Sequence, residues 1–381
     1  MPEESVSNHQ PAIISMHTLQ HLFVHPEDAL GFDSHTWSAL IIVLRHEKLL
    51  ARYAQRIDVA VGLNTLPEFV QRHCRSAMTL AERHAKQVHF ELSELAELMQ
   101  QSSQTWLVLK GAAYTASGHA VAAGRIYNDI DLLVDKSSMG SAERTLVMNG
   151  WLPQTIDDYD QAYYRQWAHE IPPLRHGYRG TMLDLHHNLV PPVSGRAPDM
   201  SLLFEYIEIT PQQIPVLTLP AMTLHSAIHL FFNEDFSASL RDTTDLYLLF
   251  NAFSKDDWES VVMLADKTKF TTELALAMHC VSELFYITLT ARQQAYIEQH
   301  THRRQRAWLL MALSSEHPVI RPPGHWRYSA YAWLRGHALK MPLGILLYHL
   351  MMKTGRAIMQ SMFGQHIFTK QDQGTQRVSN D

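Results

Sequence analysis

The sequence predicts an α+β fold: a small mixed or antiparallel sheet with its helices, flanked by N- and C-terminal helical segments. Three observations predict it. Thr105-Trp106-Leu107-Val108-Leu109 is a continuous apolar run of strand length that stops at Lys110-Gly111. Arg125-Ile126-Tyr127-Asn128-Asp129-Ile130-Asp131-Leu132-Leu133-Val134-Asp135 reads as a second short apolar strand, interrupted by two carboxylates. On either side of this region apolar residues recur at helical spacing.

Taken in order, residues 1–33 are polar and loop-like, which predicts a mobile segment at the chain end. Residues 34–104 carry helical patterns, first Leu40, Ile41, Val43 and Leu44, then Leu80, Ala81, Ala85, Val88, Leu92, Leu95 and Leu98. Gly62-Leu63-Asn64 and Pro67 divide the two. The catalytic core is expected over 105–216. Ala112-Ala113-Tyr114-Thr115-Ala116-Ser117 looks helical, a helix at 141–149 is closed by Gly150, and strands are expected at 162–168 and 181–187, antiparallel because they lie close along the chain. A loop with Pro191, Pro192 and Pro198 follows. A helical lobe spans 217–315, with helices at 223–233, 242–253, 256–267, 272–284 and 291–300. Within it Arg241 and Asp245 are spaced as an i, i+4 ion pair. Residues 316–381 form a basic, aromatic tail.

The two carboxylates carry the chemistry. Successive strand side chains point to opposite faces, so Asp129 and Asp131 share one face while Ile130 and Leu132 turn to the other. Two carboxylates on one face repel unless a cation lies between them. Mg²⁺ suits such a pair, a hard ion held by one or two carboxylates plus substrate phosphates. Upstream, a glycine at the strand-to-helix turn, Gly111, lets the backbone approach a ligand, and the helix behind it offers N–H groups to phosphate. In Gly180-Thr181-Met182-Leu183-Asp184-Leu185-His186-His187, alternation puts Met182, Asp184 and His186 on one face.

Leu109, Lys110, Gly111, Ala112, Ala113, Arg125, Asp129, Ile130, Asp131, Leu132, Leu133 and Val134 resemble, in that order, the signature of an uncharacterised bacterial nucleotidyltransferase family of the polymerase-β-like superfamily. The resemblance implies a polymerase-β-like core and the transfer of a nucleoside monophosphate from an NTP to a hydroxyl by two-metal catalysis, with Mg²⁺, or Mn²⁺ in its place. It implies that Asp129 and Asp131 hold metal, and that Asp184 is the third metal or base carboxylate with His186 beside it. It also implies that Lys110, Gly111 and Ala112 position the triphosphate, with Arg125 neutralising phosphate charge and Asn128 and His186 lying near the substrate. The wider superfamily has Gly-Ser or Gly-Gly where this chain has Gly111-Ala112, so no hydroxyl meets the phosphates and Lys110 stands in as a point charge. The R-x-x-x-D string of the resembled family matches Arg241 and Asp245, in a helix-face pair or in holding substrate.

Composition narrows the class. A chain of 381 residues with net charge −6 carries no global pull toward nucleic acid. Cys74 and Cys280 form no metal-ligand spacing and imply a reduced setting. The first nine residues hold two glutamates and no apolar stretch, so no signal peptide is expected and the location reads as cytoplasmic. The 24 histidines include no HExxH and no Cys/His array. Arg335, Lys340, Lys353 and Arg356 interleave with Trp326, Trp333 and Tyr348 and could meet an anionic membrane surface, which would make the protein membrane-peripheral; the alternative is a packed helix with a solvated face. NTP and a hydroxyl acceptor of unknown identity are the expected small-molecule partners. Two rival readings remain: an inactive nucleotide- or partner-binding protein of the same fold, and a phosphohydrolase using the same carboxylates on water.

Overall fold

The computed structural model describes residues 14–101, 105–156 and 158–363. Its centre is a mixed sheet of β1 (Trp106–Leu109), β2 (Ile130–Val134), β3 (Trp151–Pro153), β4 (Leu174–His176), β5 (Met182–His186), β6 (Ile207–Ile209) and β7 (Pro215–Leu217), in the order β3-β4-β5-β2-β1-β7-β6. β1 and β2 are central and buried along their whole length, which is why both read as near-continuous apolar runs. They pair antiparallel with Leu109 opposite Asp131. β2 and β5 pair parallel with Asp131 opposite Asp184 and Leu133 opposite His186. The sheet is thus larger than expected, because β3, β4, β6 and β7 are three-residue strands too short to show alternation.

The helices that matter for the site are α1 (Leu50–Val61), α2 (Glu68–Gln101), α3 (Lys110–Ala116), α4 (Leu219–Phe232), α5 (Ser239–Asn251) and α6 (His325–Lys340). Val88, Leu92, Leu95 and Met99 recur along one stripe of α2 and join one core with the strands and with Leu224, Ile228 and Phe231 of α4. A second core gathers Leu22, Trp37, Leu40, Leu44, Tyr53, Ile57 and Val70 from the N-terminal helices.

Two expectations are corrected. Residues before 34 are not all loop: Met16–Val24 is a helix capped by Ser15, and its Leu19, Leu22 and Phe23 are buried at i, i+3, i+4 spacing between polar neighbours that disguise the pattern. The segment expected as a strand at 162–168 lies mostly in the helix Asp158–Trp167, where Tyr159 and Tyr163, one turn apart, both meet the ring of His349. The described part of the tail carries two helices, α6 and Leu343–Phe363, and residues 364–381 lie outside the described residues. Trp326, Leu343, Leu347 and Met351 are exposed on it, but two of its cations face the protein. Arg335 donates to the Phe231 carbonyl, and Lys340 donates to Asn233 Oδ1 and pairs with the Glu234 carboxylate. Gly336 permits this approach, since a Cβ there would sit 2.4 Å from the Glu234 Cα. Among the described residues no helix is long and apolar enough to cross a membrane.

Candidate active site

The register of the sheet builds the site. Asp131 and Asp184 are neighbours across parallel strands, and His186 follows Asp184 by two residues on the same side of β5. Oxygens of both carboxylates and a ring nitrogen of His186 lie within 4.8 Å of one another. Asp129, one residue ahead of β2, stands at the mouth of the same cleft. Because Leu109 is opposite Asp131, Lys110 leaves β1 beside that carboxylate, and its Nζ donates to Asp131 Oδ1 at 2.6 Å. Lys110 turns the chain with φ +48°, a left-handed conformation that costs a non-glycine residue about 1 kcal/mol.

Two chambers meet at Lys110, Asp129 and His229. One, about 100 Å³, is bounded by Gly111, Tyr127, Asn128, Arg241 and Asp242. The other, about 280 Å³, is bounded by His169, Glu170, Asp184, His186, Phe232 and Lys340. His186 links them electrostatically: Nε2 lies 2.9 Å from the Asp131 Oδ1 that Lys110 also reaches, and Nδ1 lies 3.1 Å from Glu170 Oε2. Burial would lower the His186 imidazole, but Glu170 and then Asp131 outweigh it and raise it. Burial would raise the Asp131 carboxyl; the Lys110 ammonium and the His186 hydrogen bond win, and hold it far below the usual range. Asp129 and Asp184 go the other way. Burial and then Asp131 push Asp129 up, and burial, Asp131 and Glu170 push Asp184 up to about 7.

The remaining expected residues fall as follows. Ala112 is buried in the core and borders neither chamber. Gly111 borders the smaller chamber, but the space beside its Cα belongs to Arg125, whose Nε would lie 2.6 Å from an added Cβ. Arg125 is itself buried and bound by Asp245 of α5, which also accepts from Arg52 of α1 at 2.7 Å. The expected Arg241–Asp245 pair is therefore not formed; Arg241 pairs with Asp242 at 2.9 Å. Asn128 accepts from Lys48 Nζ at 2.8 Å. Sequence reasoning missed Arg52, Lys48, Glu170 and Lys340. Only Glu170 had a local signal, its place beside His169 ahead of β5.

The sheet thus presents adjacent carboxylates beside a lysine-bearing strand-to-helix turn. Residues 33–286 match the profile of a family described as uncharacterised nucleotidyltransferases, and the chain belongs to that family. It is accordingly an enzyme of the nucleotidyltransferase class, with an acceptor the family does not specify. No curated protein matches the chain.

Proposed function

We propose that the protein transfers a nucleoside monophosphate from an NTP to a hydroxyl acceptor, releasing pyrophosphate, on a polymerase-β-like core. The observation that carries this reading is the pairing of Asp131 with Asp184 across parallel strands, with Asp129 at the mouth of the same cleft. Asp131 and Asp184 each bring a carboxylate oxygen within 4.8 Å of the other and of a His186 nitrogen, and Asp129 and Asp184 form no ion pair among the described residues, so Asp131 and Asp184, with Asp129 lining the same cleft, would hold a divalent cation such as Mg²⁺ or Mn²⁺. Bound there, the cation would neutralise triphosphate charge and assist the attacking and leaving oxygens.

The protein groups divide the remaining work. Lys110 has three donors, so its ammonium can keep Asp131 and still offer an N–H to a phosphate oxygen. Arg241, lining the smaller chamber, adds a second cation there, and Asn128, fixed by Lys48, adds an amide. Arg125 acts by position: locked on Asp245, it fills the space over Gly111 and shapes the turn. Asp184 either completes the donor set of the cation or, free of it and with its carboxyl raised to about 7, accepts the proton of an acceptor hydroxyl in the larger chamber. The Lys110–Asp131 pair also favours a second reading, in which an ammonium occupies the carboxylate and the protein binds nucleotide without turnover.

The test is incubation of the full chain with each labelled NTP, Mg²⁺ or Mn²⁺, and a pool of hydroxyl acceptors. Acceptor-dependent pyrophosphate release, lost in Asp129→Asn and Asp131→Asn, is expected. Nucleotide binding without product would leave the binding reading, and phosphate release without acceptor would make the protein a hydrolase.

A further inference from the structure

We propose that His169, Glu170 and His186 form a distinct binding site for a nitrogen-preferring divalent transition metal, of the Zn²⁺ class, in the wall of the larger chamber beside the carboxylate pair. The proposal does not depend on the transfer reaction. One ligand atom from each of the three residues lies within 4.8 Å of the other two. Backbone pairing fixes them. Glu170 and His186 face each other in an antiparallel bridge, and the His187 N–H donates to the His169 carbonyl at 2.8 Å. The three side chains are therefore carried on two paired segments, as a site needs if its geometry is to persist.

The two nitrogens of His186 have separate partners. Nε2 donates to Asp131 at 2.9 Å, while Nδ1 is 3.1 Å from Glu170 Oε2. A ligating histidine usually gives its other ring N–H to a carboxylate, which fixes the tautomer and makes the ligating nitrogen more basic. Asp131 already serves His186 in this way, so an ion on the Nδ1 side leaves the Nε2–Asp131 bond intact. His169 supplies an independent observation: its Nδ1 is buried and has no hydrogen-bond partner among the described residues. A buried polar atom without a partner is uncommon and calls for a cause.

Two imidazoles with one carboxylate match the donor set of catalytic zinc and related sites, which keep open positions for solvent or substrate. The adjoining chamber, about 280 Å³, gives those open positions room. Mg²⁺ prefers all-oxygen shells and would remain with Asp129, Asp131 and Asp184. The cleft would then hold two kinds of divalent ion, with His186 and Asp131 as the hinge between them.

The test uses the full chain, stripped with chelator and titrated with Co²⁺ as a coloured stand-in for Zn²⁺. Wild type should bind one equivalent with the visible bands of a nitrogen-containing, low-coordinate site, and Zn²⁺ should displace it. His169→Phe and Glu170→Gln should bind at least about 100-fold more weakly. Asp129→Asn should retain the Co²⁺ bands while losing Mg²⁺-dependent NTP binding, so failure here and failure of the transferase reading give different results. X-ray absorption of zinc-loaded wild type, which needs no variant, should show nitrogen donors. Absence of the bands in wild type, their full retention in His169→Phe, or an all-oxygen zinc shell would overturn the proposal.

Discussion

Replacing Asp184 with asparagine should stabilise the metal-free protein. The Asp184 carboxyl is raised from 3.8 to about 7 by burial and by the neighbouring Asp131 and Glu170 carboxylates. Between those two values the folded chain binds more protons than the unfolded one, so ionisation of Asp184 destabilises the fold increasingly from pH 3.8 and fully above about pH 7. The span from 3.8 to about 7, at about 1.4 kcal/mol per pH unit, sets a ceiling of about 4 kcal/mol at pH 8. The larger chamber is open to water, which weakens the repulsion, and a gain of about 2 kcal/mol is the expected size. Asn has the shape of the protonated acid and no charge, so it removes the repulsion without leaving a hole. Urea unfolding in EDTA measures it: Asp184→Asn should have the higher midpoint at about pH 8, with the advantage at least halved at about pH 5. Asp131→Asn should do the opposite and lower the midpoint at pH 8, because it strips Lys110 and His186 of the negative charge they share. An Asp184→Asn protein less stable than wild type at pH 8, or a gain independent of pH, would refute the electrostatic account.

Three further outcomes follow from packing. Asp245→Asn leaves Arg52 and Arg125 buried with excess positive charge and should cost about 3–5 kcal/mol in urea unfolding, whereas a loss below about 1 kcal/mol would mean the pair is not structural. Gly111→Ala puts a methyl 2.6 Å from Arg125 Nε and should cost about 1–3 kcal/mol and weaken NTP binding by calorimetry, while Gly140→Ala, in ordinary contact at 3.6 Å, should be neutral or slightly stabilising. Gly336→Ala collides with the Asn233–Glu234 backbone and should cost a similar amount and expose the α6 arginines to trypsin; protection equal to wild type would show that α6 docks otherwise.

What the sequence made legible was local. Alternation alone paired Asp184 with His186 on one face of β5, and the apolar run 105–109 located β1 to within a residue, whereas β2 (Ile130–Val134) is only the latter half of the 125–135 run that predicted it. What it hid was register and long-range pairing. Nothing near Asp131 says that Asp184 will lie opposite it, nor that Arg125 will be claimed by Asp245 from a helix far along the chain. An arginine near a phosphate turn and an arginine buried on an aspartate look alike until the partner is known. Lys340 was similarly opaque: in a basic segment it reads as a membrane-facing cation, yet Gly336 brings α6 close enough to place it in the wall of the larger chamber.

The distribution of charge in the cleft separates support from chemistry. Asp131 is matched by Lys110 and His186, Asp242 by Arg241, and Asp245 by Arg52 and Arg125. Each of these carboxylates is satisfied by the protein itself, and removing its partner would leave a buried charge exposed to full desolvation cost. Asp129 and Asp184 form no ion pair among the described residues, and both are pushed upward by the very neighbour that is satisfied. A fold selected for stability alone would replace them with neutral residues, since each adds repulsion to a site that already holds Asp131. Their presence is explained if an incoming cation supplies the missing countercharge. Stability at pH 8 and cation affinity should then move in opposite directions when either residue is made an amide, and parallel losses of both would show that Asp129 and Asp184 serve the fold.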